Sequence, residues 1–219
     1  MLAEGLASRF VQRASGALVA SITSLMSMRV AQSEGDGDEH TRAGFRFIGN
    51  AVGATGIAPV QTIPSTAAHW LLWNPLGNIN SLLIDEIAVT DVSGTAGAGG
   101  AFYGCLVGPS QGPTTIVTAS AANVFVMNCN PVSAKASRAL IASGQTLVNT
   151  AAGNWFPIGQ MNPNGTLLAQ TVMFQLPDVR GKYIVPPGCG LAIATISPTG
   201  TTPLFAPTFK WREYAVDLE

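Results

Sequence analysis

Hydrophobic positions along the chain change their spacing near residue 44. Over residues 1 to 32, Leu2, Leu6, Phe10, Ala14, Leu18, Ile22 and Met26 recur every four residues. That spacing predicts one slowly drifting apolar face on an α-helical arm, weakened by Gly5 and Gly16. Such a face needs a partner surface, which makes Leu2, Leu6, Phe10, Leu18 and Ile22 candidate anchor residues. Residues 33 to 43 read as a linker carrying Gly35 and Gly37 among Glu34, Asp36, Asp38 and Glu39.

From residue 44 onward the runs are short, apolar or alternating, and closed by Gly, Pro and Asn. Phe45 and Phe47 flank Arg46, and His69-Trp70-Leu71-Leu72-Trp73 stops at Asn74-Pro75-Leu76-Gly77-Asn78. Ser81 to Thr90, Ala101 to Val107, Thr114 to Thr118, Val124 to Met127, Thr166 to Leu176, Tyr183 to Val185, Leu191 to Ile196 and Phe205 to Val216 read as further strands. Pro207 is expected at a strand edge. Ala134 to Ser143 is alanine-rich without proline and predicts a helical turn. The total is about eight to ten strands without long helices between them, which points to a mainly β protein. The expected fold of residues 44 to 219 is an antiparallel β-sandwich of jelly-roll type.

Composition adds one strong constraint. Charged residues make up 11% of the 219-residue chain, less than half of the roughly 25% usual in soluble domains. Mean hydropathy is +0.32. No Lys or Arg occurs between Arg46 and Lys135, where the acids are Asp85, Glu86 and Asp91. A surface so poor in charge is expected to be covered by neighbouring subunits, or else to be solvated by Ser, Thr, Asn and Gln. Net charge is −1 and no basic patch tracks a phosphate backbone, so no nucleic-acid partner is expected. No run approaches the roughly 18 apolar residues of a membrane span. Arg9 and Arg13 precede Ala14 to Met28, but Ser15, Ser21, Thr23, Ser24 and Ser27 break that segment, so no cleaved signal is expected.

Candidate chemistry is sparse. Cys105, Cys129 and Cys189 are far apart and suit neither a zinc site nor a disulfide framework; free buried thiols are expected. His40 and His69 lack a nucleophile elbow or HExxH spacing, and His69 reads as a structural histidine. Asp85 and Glu86 are adjacent, so a regular strand would turn them to opposite faces. The acidic linker lacks EF-hand spacing and reads as a solvated loop, with calcium left open. Gly94 to Gly100 matches no phosphate-binding pattern and reads as a hairpin turn. Asn164-Gly165-Thr166 is a glycosylation sequon in form and reads as a turn. Trp70, Trp73, Trp155 and Trp211 would form a sugar-binding platform if exposed. Trp70 and Trp73 should face opposite sides of their strand, which makes Trp73 a candidate interface residue. No cofactor and no catalytic residue is expected.

Two runs carry a resemblance. Leu71-Leu72-Trp73-Asn74-Pro75-Leu76-Gly77-Asn78 with Ser81 to Val89, and Val185-Pro186-Pro187-Gly188-Cys189-Gly190-Leu191-Ala192-Ile193-Ala194, resemble segments of tailed-bacteriophage virion proteins. A closing strand such as Phe209-Lys210-Trp211-Arg212-Glu213 is similar to theirs as well. The resemblance implies a non-enzymatic jelly-roll subunit of a capsid, a vertex, or a tail or fibre. It would be assembled in the host cytoplasm, with copies of itself (trimers or higher rings) and other virion proteins as partners. A receptor- or glycan-binding β-sandwich is the alternative.

Overall fold

The structure is a computed structural model, and it describes residues 19–22, 28–31, 40–51, 56–93, 100–114, 116, 124–161, 178–197 and 203–214. The chain divides into two units, residues 1–43 and 44–219. In the first, β1 (Val19–Ile22) and β2 (Met28–Ala31) pair antiparallel, with Val19 opposite Ala31 and Ile22 opposite Met28. The predicted helix over residues 1 to 32 is corrected at 19–22 and 28–31 to two paired antiparallel strands; residues 1–18 and 23–27 lie outside the described residues. β-branched Val19, Ile22 and Val30 lose rotamer freedom in a helix, and Ser21, Thr23 and Ser24 compete for its backbone hydrogen bonds. Four-residue spacing alone does not overcome those preferences. The acidic run 33–39 also lies outside the described residues.

The second unit contains β3 (Arg46–Ala51), β4 (Ala67–Trp73), β5 (Ser81–Ser93), β6 (Gly100–Val107), β7 (Val124–Asn128), β8 (Leu140–Thr146), β9 (Phe156–Met161), β10 (Asp178–Val185), β11 (Gly190–Ile196) and β12 (Leu204–Tyr214). They form two five-stranded antiparallel sheets packed as a sandwich, ordered β10-β5-β12-β3-β7 and β8-β4-β11-β6-β9. Consecutive strands cross from sheet to sheet throughout, except from β8 to β9. Strand residues at alternate positions therefore meet between the sheets. Phe47, Trp70, Leu72, Leu82, Ile84, Ile87, Leu191, Ile193, Phe209 and Trp211 form that core, each buried. Phe47 stacks on Trp211 at 6.1 Å, and Phe102 meets Phe205 edge-on at 6.3 Å. Each such side chain contributes roughly 2 kcal/mol by leaving water.

The outer face of the second sheet is buried too. Ala68, Leu71, Cys105, Val107, Ala192 and Ala194 pack there beneath Leu147 and Trp155. Trp155 Nε1 and Thr150 Oγ1 both donate to the Ser65 carbonyl, at 3.1 and 2.7 Å, and pin this cover down. β11 is consequently buried at every position, which accounts for its apolar sequence, broken only by Thr195.

Two further expectations change. Residues 134–139 hold no regular structure, and β8 begins at Leu140 where a helical turn was predicted. Ser133 Oγ accepts the Lys135 N–H and Ser137 Oγ accepts the Ala139 N–H, so the serines take donors a helix would use. Pro207 lies in a strand with neighbours on both sides, yet the pairing of β12 with β3 ends at Thr208 opposite Asn50, one residue short of it. The predicted strands over Thr166–Leu176, and most of Thr114–Thr118, lie outside the described residues.

Candidate interaction surfaces

One end of the sandwich is organised around Asn74. There β4 leaves one sheet for β5 in the other, and β10 returns to β11, so two crossings run side by side. Asn74 is fully buried between them. Its Nδ2 donates to the carbonyls of Asn80 and Val185, both at 2.9 Å, and its Oδ1 accepts from Asn78 Nδ2 at 2.8 Å. Its backbone N–H donates to the Cys189 carbonyl and its own carbonyl accepts the Gly188 N–H. The two runs that carry the sequence resemblance are thus knitted together by one amide. On this braced turn Leu76 and Ile79 are 80% and 85% exposed. Aliphatic side chains displayed so fully on a rigid support suit contact with another surface.

Asp85 and Glu86 depart from the expected opposite faces. β12 pairs Lys210 with Glu86 but Trp211 with Ile84, so Asp85 is the extra residue of a β-bulge. Ile84 and Ile87 both enter the core, and both carboxylates emerge on the outer face. Asp85 Oδ1 accepts from Arg212 Nε at 2.9 Å, and Arg46 Nε lies 3.3 Å from Oδ2. Lys210 Nζ donates to both Glu86 oxygens, at 2.8 and 2.9 Å. Each acid is held by cations across the strands, an arrangement that staples three strands together.

His69 lies where the β4–β11 ladder stops. Its Nδ1 accepts the Thr195 backbone N–H at 3.1 Å and lies 3.0 Å from Thr195 Oγ1. A backbone N–H can only donate, so Nδ1 is unprotonated and the proton of the neutral ring sits on Nε2. Burial pushes its pKa down from 6.5 to about 4. Trp70 packs edge-on against the ring at 5.6 Å. His69 is a buried structural group that replaces a missing ladder bond.

Cys105, Cys129 and Cys189 are free, and burial pushes all three thiols up; at Cys129 nearby Arg46 and Lys210 partly oppose this. Among the described residues no three His, Cys, Asp or Glu side chains gather in a metal-holding group. Trp70, Trp155 and Trp211 are buried, so the tryptophans make no exposed platform. Trp73 is half-buried against the outer cluster. A Cβ at Gly112 would come within 2.4 Å of its ring, so the loop after β6 lies directly on it. Leu2, Leu6, Phe10 and Leu18 lie outside the described residues, and Ile22 ends β1.

A second apolar surface was not foreseen as one. Phe125 and Met127, on the terminal strand β7, are 57% and 58% exposed on its outer side. The short apolar run Val124 to Met127 marked a strand in the sequence, but its place at a sheet margin was invisible there. No protein-family model matches this chain, and no curated protein matches it.

Proposed function

We propose that this chain is a non-enzymatic structural subunit of a phage virion, on the capsid or the tail, that assembles with copies of itself. Its sandwich is read as a jelly roll. The strand order supports this: leaving out β7 and β8, the sheets run β3-β12-β5-β10 and β4-β11-β6-β9. That is the order produced when an eight-stranded antiparallel ribbon wraps into two sheets. The pair β7–β8 is then an insertion that adds one strand to a margin of each sheet. Residues 1–32 are read as the arm that anchors the subunit to other virion proteins, and residues 33–43 as its linker.

The observation that carries the assembly reading is the display of Leu76, Ile79, Phe125 and Met127 on ordered turns and strands of a chain with only 11% charged residues. Apolar burial between copies would remove these side chains from water. The titratable groups at the bulge are matched by cations, and His69 is committed to the backbone, so neither stands ready for acid–base work. The test is the mass of the full chain in solution by sedimentation over a range of concentrations. A discrete oligomer is expected; a single chain of 22.6 kDa at every concentration overturns the reading.

A further inference from the structure

Among the described residues the two sheets present four marginal strands: β10 and β7 on one, β8 and β9 on the other. A marginal strand exposes unpaired backbone groups, and proteins that stay separate blunt such strands with charge, proline, bulges or irregular backbone. Three of the four are blunted. β10 carries Asp178, Arg180 and Lys182, has Gly181 at φ 75°, and breaks register between Asp178 and Tyr183. β9 carries Pro157 and pairs across a register shift between Phe102 and Tyr103. β8 is interrupted by Gly144 at φ 64°. β7, Val-Phe-Val-Met-Asn, has no charge, no proline and no glycine, and pairs with β3 without a break over all five residues.

The polarity of the open side follows from the ladder. Cys129 donates its N–H to the Arg46 carbonyl at 2.9 Å, one step beyond the pair Asn128–Phe47. Backbone groups alternate sides along an antiparallel strand. Those of Phe125 and Met127 therefore point to β3, and those of Val126 point away from it. Side chains alternate too: Val126 packs against the core while Phe125 and Met127 lie exposed on the outer face.

We propose that β7 pairs antiparallel with β7 of a second copy about a two-fold axis at Val126, joining two five-stranded sheets into one of ten. This rests on the reading of the chain as a self-assembling subunit, and it names the surface. The second copy is the occupant because the strand is complementary to itself in this register. Val126 faces Val126 of the other copy as a hydrogen-bonded pair, using the groups that point away from β3. Phe125 then stands opposite Met127 of the other copy, twice, which makes two aromatic–thioether contacts on the outer face. With no charge on the strand, nothing repels across the axis.

Val126→Pro removes the open-side N–H, which β3 does not use, and a marginal strand tolerates proline there. Phe125→Lys with Met127→Lys places four ammonium groups at the axis and leaves the backbone intact. The full chain is expected to sediment at an even multiple of 22.6 kDa, and both variants at half the wild-type mass with an unchanged circular-dichroism spectrum. Should Val126→Pro fail to fold, the lysine pair decides. Phe125→Cys with Met127→Cys should give a covalent dimer on treatment with a diazene oxidant, because non-hydrogen-bonded partners lie about 4.5 Å apart. An oligomer whose mass neither variant changes, or one that yields no cross-link, overturns pairing at β7 and leaves the assembly reading standing. A wild-type monomer overturns both.

Discussion

Replacing Asn74 by alanine removes a side chain that joins both crossings at one end of the sandwich. Three hydrogen bonds are lost, to Asn80, Val185 and Asn78. Each contributes about 1 kcal/mol net, and every buried partner left without a mate adds about 1 kcal/mol or more. The Val185 bond is wholly buried, so its carbonyl finds no easy replacement. The sum is about 3 to 5 kcal/mol, a large part of the 5 to 15 kcal/mol that holds a typical domain folded. The backbone bonds of residue 74 to Cys189 and Gly188 survive the change, so the loss belongs to the side chain. Asn74→Asp keeps the shape but turns a carboxylate oxygen toward two carbonyls, and at neutral pH it should cost more than alanine. Lowering the pH protonates that carboxyl, so the gap between the two variants should narrow. Urea unfolding of the full chain, followed by tryptophan fluorescence, gives both values with an unchanged slope. A loss under about 1 kcal/mol for Asn74→Ala, or an Asn74→Asp variant as stable as the wild type, would refute the bracing role.

Two other outcomes follow from buried groups. The His69 pKa is lowered from 6.5 to about 4, so the unfolded chain takes up the proton first as the pH falls. The stability this histidine confers is complete well above pH 6.5 and is lost progressively as the pH falls from there toward 4, amounting to about 2 to 3 kcal/mol near the bottom of that window. The substitution His69→Asn keeps an acceptor near the Nδ1 position without titrating; equal acid sensitivity of variant and wild type in urea unfolding would show that His69 is not the group. Asp85→Ala strands Arg212, whose side chain is only 13% exposed, and should cost about 2 to 3 kcal/mol. Adding Arg212→Ala should recover part of that loss; a simple sum of the two single losses would argue against the pairing.

Much of the β domain was legible because its strands are bounded by residues with local preferences. Asn74-Pro75-Leu76-Gly77 and Pro186-Pro187-Gly188 stop strands by their own backbone chemistry, and the runs between them alternate or stay apolar. Errors arose where local signals compete. The 134–143 segment has helix-forming composition, but Ser133 and Ser137 capture the backbone donors. Four-residue spacing before residue 32 coincides with β-branched and hydroxylated residues that pair as strands at 19–22 and 28–31. The bulge at Asp85 was illegible, since a one-residue offset between β5 and β12 depends on residues some 125 positions away. Of the apolar surfaces, Trp73 was marked by strand parity, but the loop bearing Gly112 covers its ring.

Composition and periodicity by themselves determined that the β domain is mainly short strands, where most of the described strands turn, and that the chain carries too little charge to look like an ordinary separate domain. These properties reside in each residue and its immediate neighbours. Tertiary structure alone decided which strands lie side by side, that Asn74 holds Val185 across 111 positions, that both bulge acids share one face, and that β7 ends its sheet without a guard among the described residues. Those outcomes depend on which distant segment arrives at a given face, and the spacing of apolar residues records only that a face must be covered.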